Sequence, residues 1–159
     1  MFRQAEHDLI YSYRFRTQSS CSAPTPPLQS IYQNQPIHQP KECIRTMLPM
    51  QRAIALAESA LGTTSPNPAV GALVLKDGAI IGQGFTLPPG QSHAEIGALQ
   101  QAGDLARGAT LYTTLEPCCH FGRTPPCTQA IIAAGIEQVC VAVIDPNPKV
   151  AGKGLTELE

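Results

Sequence analysis

The residues of this chain that could do chemistry lie in two runs. One is His93-Ala94-Glu95; the other opens with Pro117-Cys118-Cys119-His120 and closes with Thr124-Pro125-Pro126-Cys127. Together they offer an imidazole, up to three thiolates, a second imidazole and a carboxylate. A catalytic zinc takes three protein ligands from His, Cys or a carboxylate and leaves its fourth position to water. A carboxylate close to that water can move its protons without touching the metal. The chemistry suggested is hydrolysis.

The pattern is similar to that of zinc nucleobase deaminases, which place His-x-Glu ahead of Pro-Cys-x-x-Cys and use the Glu as proton shuttle. His-x-Glu and Pro-Cys are present here. The third residue after Cys118 is Phe121, however, and the next thiol after the Cys118-Cys119 pair is Cys127, so the second half is stretched.

Each of these residues also has a plainer reading. Ser92-x-x-Glu95 fits a capping box, in which Glu95 would only bond a backbone N–H and His93 would be a surface residue. Positions i and i+2 of a helix do not face each other. In a first turn, though, side chains can point off the helix end, where the dipole favours negative charge. Cys127 could be a small buried hydrophobe, as is expected of Cys140 in its strand. Cys119 and His120 are alternative ligands, ranked below Cys127 because adjacent residues on a turn seldom hold one metal. Asn67, Asp145 and Asn147 stand among prolines, where rigid turns are the ordinary outcome. Arg123 would ordinarily be a solvated charge.

The elements that must position these residues follow from Met50 onward. Ile54, Leu56, Ala57, Ala60 and Leu61 give a helical apolar face closed by Gly62. Val70 to Leu75 and Ala79 to Phe85 read as strands joined by a hairpin at Asp77-Gly78. A second helix is expected from Ser92 to about Ala102, and a third strand over Ala109 to Leu115. Thr124 and Pro125 read as N-cap and N1 of a third helix that ends at Gly135. The nearly all-apolar run Val139 to Ile144 predicts a strand inside the sheet. This order argues an α/β fold with helices on both faces of a mixed sheet.

At 159 residues the chain can bury one ordinary core. A formal net charge of −1 gives no basic field to attract nucleic acid, so no nucleic-acid partner is expected. No apolar run is long enough to span a membrane. Six cysteines without an apolar leader, three of them between Cys118 and Cys127, suit metal ligation in a reducing compartment, and a cytoplasmic location is expected. Residues 1–46 carry Pro24, Pro26, Pro27, Pro36 and Pro40 among Ser, Gln, Tyr and Arg and are expected to form a disordered extension. Organelle targeting by this extension is one alternative, although Glu6, Asp8 and the lack of a clear amphipathic helix weigh against it. A true start at Met47 or Met50 is the other.

The motifs together resemble the deaminase domain of the bifunctional riboflavin-biosynthesis deaminase/reductase family. They are Thr64-Ser65-Pro66-Asn67-Pro68 with Val70-Gly71, His93-Ala94-Glu95, Thr114-Leu115-Glu116-Pro117-Cys118, His120-x-Gly122-Arg123-Thr124-Pro125-Pro126-Cys127 and Asp145-Pro146-Asn147-Pro148. The resemblance implies a cytidine deaminase-like three-layer α/β/α sandwich around a central mixed sheet. It implies zinc on His93, Cys118 and Cys127, with Glu95 as proton shuttle. It also implies a pocket for a small phosphoribosylaminopyrimidine substrate lined by Asn67, His120, Arg123, Asp145 and Asn147, with Arg123 or Lys149 meeting the phosphate. On this reading residues 47–150 are the deaminase domain, and 151–159 are a stub leading toward an absent reductase domain, with NADPH a cofactor only where that domain follows. A homo-oligomer is left open. Thr86 stands where many members carry His, and Cys119 where Ser is usual. Two rivals remain: a deaminase of another base, and a non-catalytic zinc domain closed by a fourth ligand from Cys119 or His120.

Overall fold

The computed structural model describes residues 11–14 and 41–159. Its elements run β1 (Tyr11–Arg14), α1 (Lys41–Ser59), β2 (Gly71–Lys76), β3 (Ala79–Phe85), α2 (Ala94–Ala102), β4 (Thr110–Thr113), α3 (Cys127–Ala134), β5 (Gln138–Val141) and α4 (Lys153–Leu158). The sheet order is β1-β5-β4-β2-β3. Only β4 and β5 run parallel, with α3 crossing between them, so the sheet is mixed as expected.

Alternation along the central strands sorts the core into two layers. Ala72, Val74, Leu111, Val139 and Val141 face α2, α3 and α4, whereas Leu73, Tyr112 and Cys140 face Met50 and Ala53 of α1. Successive strand side chains point to opposite faces, so strands buried on both sides must be apolar throughout. The architecture is a three-layer α/β/α sandwich. The β2–β3 hairpin turns at Asp77 and Gly78, both at positive φ, as the Asp-Gly signal predicts.

Helix α2 lies unusually close to the sheet. A Cβ on Gly84 would come 2.3 Å from the Ala94 carbonyl oxygen, and one on Gly82 would come 2.1 Å from that of Ala98. Two glycines on one face of β3 therefore set the depth at which α2 is seated, Gly84 at its first turn and Gly82 at its second half.

Several boundaries differ from the sequence reading. Helix α1 begins at Lys41, eight residues before Pro49, which lies inside it and cannot donate to the turn before it. Tyr11–Arg14 pair antiparallel with β5, from Tyr11 opposite Val141 to Arg14 opposite Gln138. The expectation of disorder over 1–46 is corrected at these two places, and its remainder lies outside the described residues. The 151–159 stub is corrected too. It contains α4, whose Leu155 and Leu158 are buried in the core with Ile131 and Val141.

Candidate metal centre and pocket

His93 stands immediately before α2. Its backbone is extended (φ −74°, ψ 163°), it makes no side-chain cap bond, and its carbonyl accepts the Gly97 N–H at 3.1 Å. His93, not Ser92, is the N-cap, so the Ser92–Glu95 capping box does not form. Glu95 is instead buried in the first turn, 4 % exposed.

Cys118 follows β4 through Thr114-Leu115-Glu116-Pro117, and Cys127 is the first residue of α3. That helix starts later than Thr124-Pro125 predicts, because Pro125 precedes another proline and is driven out of the helical region. Pro126, at φ −58° and ψ 136°, becomes the N-cap, and Gly135 closes the helix in a left-handed conformation as expected. The exposed N–H groups of this helix start turn onto Cys118. The Cys127 N–H donates to Cys118 Sγ at 3.4 Å, and the Thr128 N–H donates to the Cys118 carbonyl at 3.2 Å.

Strand end, helix start and the α2 cap thus converge. His93 Nδ1 lies 3.6 Å from Cys118 Sγ and 3.4 Å from Cys127 Sγ, and one donor atom from each residue falls within 4.8 Å of the other two. Zinc bound tetrahedrally at the usual Zn–N and Zn–S lengths spans about 3.6 Å between nitrogen and sulfur. The triangle has the size of a zinc site. Among the described residues it is the one His/Cys/Asp/Glu group close enough to hold a metal. Cys119 is not part of it, its sulfur lying 4.0 Å from the Lys149 carbonyl.

The electrostatics suit a divalent cation. The hydrogen bond from Cys127, helped by His93 and the Cys127 N–H, pulls the Cys118 thiol down to about 4 against the effect of burial. Cys127 moves the other way, held as a thiol by its bond to Cys118 and by burial. The bond to Cys118 raises His93. Burial pushes Glu95 up to about 7. Two thiols and a carboxylate this close and this buried cannot all ionise by themselves, and a divalent cation among the donors removes the conflict. The residues fit zinc.

His93, Glu95 and Cys118 line a cavity of about 340 Å³. All five residues named for the substrate open onto it: Asn67, His120, Arg123, Asp145 and Asn147. The plain turn reading holds as well, because the Asn147 N–H donates to Asp145 Oδ1 at 2.8 Å and the Lys149 N–H donates to Asn147 Oδ1 at 3.1 Å. Each side chain keeps a second polar atom for a ligand. His120 Nδ1 is buried without a protein partner. Thr86 also borders the cavity, but its hydroxyl accepts the Val70 N–H at 3.1 Å and so secures the end of the hairpin. Sequence reasoning gave no role to Glu116, whose buried carboxylate also reaches the cavity wall. Its partners lie some thirty to forty residues downstream, beyond the reach of any local pattern.

Residues 46–143 match the family model of the cytidine and deoxycytidylate deaminase zinc-binding region, and the chain belongs to this family of zinc-binding deaminase domains. Within it, the relatives point one way. The chain is 58 % identical over 109 residues to the riboflavin biosynthesis protein RibD of Synechocystis, covering 69 % of this chain and 30 % of that protein. It is 52 % identical over 109 residues to the diaminohydroxyphosphoribosylamino-pyrimidine deaminase of Buchnera aphidicola, covering 69 % of this chain and 74 % of the relative. The solved structure of Acinetobacter baumannii RibD, form 2, superposes with a TM-score of 0.67 at 49 % identity, over 74 % of this chain and 33 % of that one. The chain thus spans about a third of the length of the longer RibD proteins it matches. Among the described residues no helix is long and apolar enough to cross a membrane.

Proposed function

We propose that the chain is a zinc-dependent aminohydrolase acting on 2,5-diamino-6-(5-phosphoribosylamino)pyrimidin-4(3H)-one, which it converts to 5-amino-6-(5-phosphoribosylamino)uracil and ammonia. One observation carries this reading: the His93/Cys118/Cys127 triangle and the buried Glu95 share a cavity with Asn67, His120, Arg123, Asp145 and Asn147. The kinship with the Buchnera deaminase supports the choice of substrate. The donor group has three members, which supports an open fourth position over a closed structural site.

His93, Cys118 and Cys127 would hold the zinc, which when bound lowers the pKa of a water toward about 7 and so provides the nucleophile at neutral pH. Glu95, raised to about 7 by burial, is matched to both halves of the proton transfer. Its carboxylate takes one proton of the attacking water and passes it to the ring nitrogen; it then takes the second proton, from the hydroxyl added to the ring carbon, and gives it to the amine, which leaves as ammonia when the carbon–nitrogen bond breaks. Asn67 and Asp145 present polar atoms to the ring edge, where a wrong base would leave them buried and unpaired. Arg123 or Lys149 meets the phosphate. The thiolate ligands suit a reducing, cytoplasm-like compartment.

The test is ammonia release by the zinc-loaded protein, with Glu95→Ala beside it. The expected result is release by the wild type and a loss of about 10²–10⁴-fold in the variant with zinc retained. A wild type that holds one zinc per chain and releases no ammonia from this substrate would overturn the assignment.

A further inference from the structure

Glu116 is 3 % exposed, and among the described residues no cationic side chain meets its carboxylate. It is filled by backbone. Oε2 accepts the N–H of Asp145 at 3.1 Å and of Gly152 at 2.9 Å, and Oε1 accepts the N–H of Gly154 at 2.8 Å and of Leu155 at 3.3 Å. Its own N–H donates to the Val143 carbonyl at 2.9 Å. One side chain, two residues ahead of Cys118, therefore ties together the strand end beside the metal ligands, the turn bearing Asp145 and Asn147, and the start of α4.

The local backbone is shaped around it. Gly152 takes φ +88°, which an L side chain resists, and a Cβ on Gly154 would come 2.2 Å from the Pro117 carbonyl and 3.0 Å from Glu116 Oε1. Both glycines let main-chain N–H groups close on the carboxylate. Hydrogen bonds to an ionised acceptor are the strong ones, and a buried N–H deprived of its partner bears the full desolvation penalty.

From this we infer that Glu116 is a positioning residue for substrate recognition: it fixes the Asp145–Asn147 turn against the cavity, so that substrate affinity depends on it while metal binding does not. The inference rests on the function proposed above. Asp145 and Asn147 reach the cavity from a turn closed by its own Asn147 and Lys149 N–H bonds; Lys153 Nζ and Cys119 Sγ touch its far end at the Pro148 and Lys149 carbonyls, whereas Glu116 bonds the Asp145 N–H itself and joins it to the metal-bearing strand end. The metal donors have separate supports in the start of α3 and the cap of α2.

The experiment uses the full chain, zinc-loaded, with Glu116→Gln and Glu116→Asp. Gln keeps the shape but turns an NH₂ toward two backbone N–H groups; Asp keeps the charge and falls one methylene short. The expected result for Glu116→Gln is a KM raised about tenfold or more, kcat within about threefold and one zinc retained per chain, since one lost bond to a charged group is worth at least about a factor of ten. Glu116→Asp should fall between it and the wild type. Hydrogen exchange, which needs no substrate, should quicken at the Asp145, Gly152 and Gly154 amides and stay unchanged at Leu111 and Val139. Unchanged KM and unchanged exchange overturn the inference, as does a loss of zinc and of protection throughout the domain. Should Glu116→Gln fail to fold, the same readings on Glu116→Asp decide. If the wild type itself releases no ammonia, the proposed reaction fails, and exchange alone still decides whether Glu116 holds the turn.

Discussion

Gly84 lies outside the pocket, yet the reactive groups depend on it. An ideal Cβ there would meet the Ala94 carbonyl at 2.3 Å and the Ala98 nitrogen at 2.7 Å, both backbone atoms of α2. Ordinary contact begins at 3.4 Å, so Gly84→Ala must lift the first turn of α2 by about 1.1 Å. That turn carries Glu95 and follows directly on His93, whose Nδ1 has 3.4 and 3.6 Å separations to the two sulfurs. Overpacking of this kind costs about 1–3 kcal/mol, or roughly 2–12 °C in Tm for a chain of this size. Displacing a reacting group by about 1 Å costs on the order of 10²-fold in rate. The assay is a thermal melt, zinc content by mass spectrometry and ammonia release, with Gly97→Ala as control. Gly97 belongs to the same contact, but a Cβ there meets only the Gly84 Cα at an ordinary 3.5 Å, so that variant should keep its zinc and its activity. Gly84→Ala with wild-type Tm, zinc affinity and rate would refute the claim that this close approach seats the site.

Two further outcomes follow from the packing and from the charge state of the ligands. Leu158→Ala should destabilise the domain by about 2–5 kcal/mol, since its side chain is 1 % exposed in the core; a denaturant midpoint equal to wild type would restore the reading of 151–159 as a mere stub. Zinc binding to the apoprotein at pH 8, above the value of about 7 for Glu95, should release about two protons, one from Cys127 and one from the water whose pKa zinc lowers toward about 7, plus a fraction from the raised His93. Cys118, already ionised well below neutrality, should contribute none. The His93 fraction shrinks as pH rises, so the total measured by calorimetry in buffers of different ionisation enthalpy should settle at about two. About three protons at every pH from 8 upward would contradict a thiolate at Cys118.

The donors of the triangle were legible in the sequence because His-x-Glu and separated cysteines together offer what a zinc takes, although Glu95 and Cys127 each had a plainer reading when taken alone. The central strands were equally plain, since burial on both faces leaves Leu73, Leu111 and Val139 no polar alternative. Where the reading slipped, the deciding force was local stereochemistry or a distant partner. Thr124-Pro125 has the composition of a helix start, but Pro126 forbids it. Ser92 and Glu95 have the spacing of a capping box, but His93 takes the cap and Glu95 is buried. Strand β1 is only four residues, and its Tyr-Ser-Tyr-Arg alternation is too short to stand out without its pairing with β5. Helix α4 offers only Leu155 and Leu158 as a periodic signal. Glu116 looked like part of a motif, and its four bonds could not be foreseen without the fold.

Cys118 and Cys127 are gripped by different rigid pieces, the end of β4 and the first turn of α3, which meet through the Cys127 N–H on the Cys118 sulfur. The span between them supplies His120, Gly122, Arg123 and Thr124 to the cavity wall and no donor to the triangle. Its length is therefore a free variable, since lengthening a loop between fixed ends costs little. The two ends behave as a socket and the span as an interchangeable cassette. In this chain the wall that His120 and Arg123 give the cavity is thus carried apart from the atoms of the triangle. Grafting this span onto a shorter-looped relative would move the pocket wall without rebuilding the metal site.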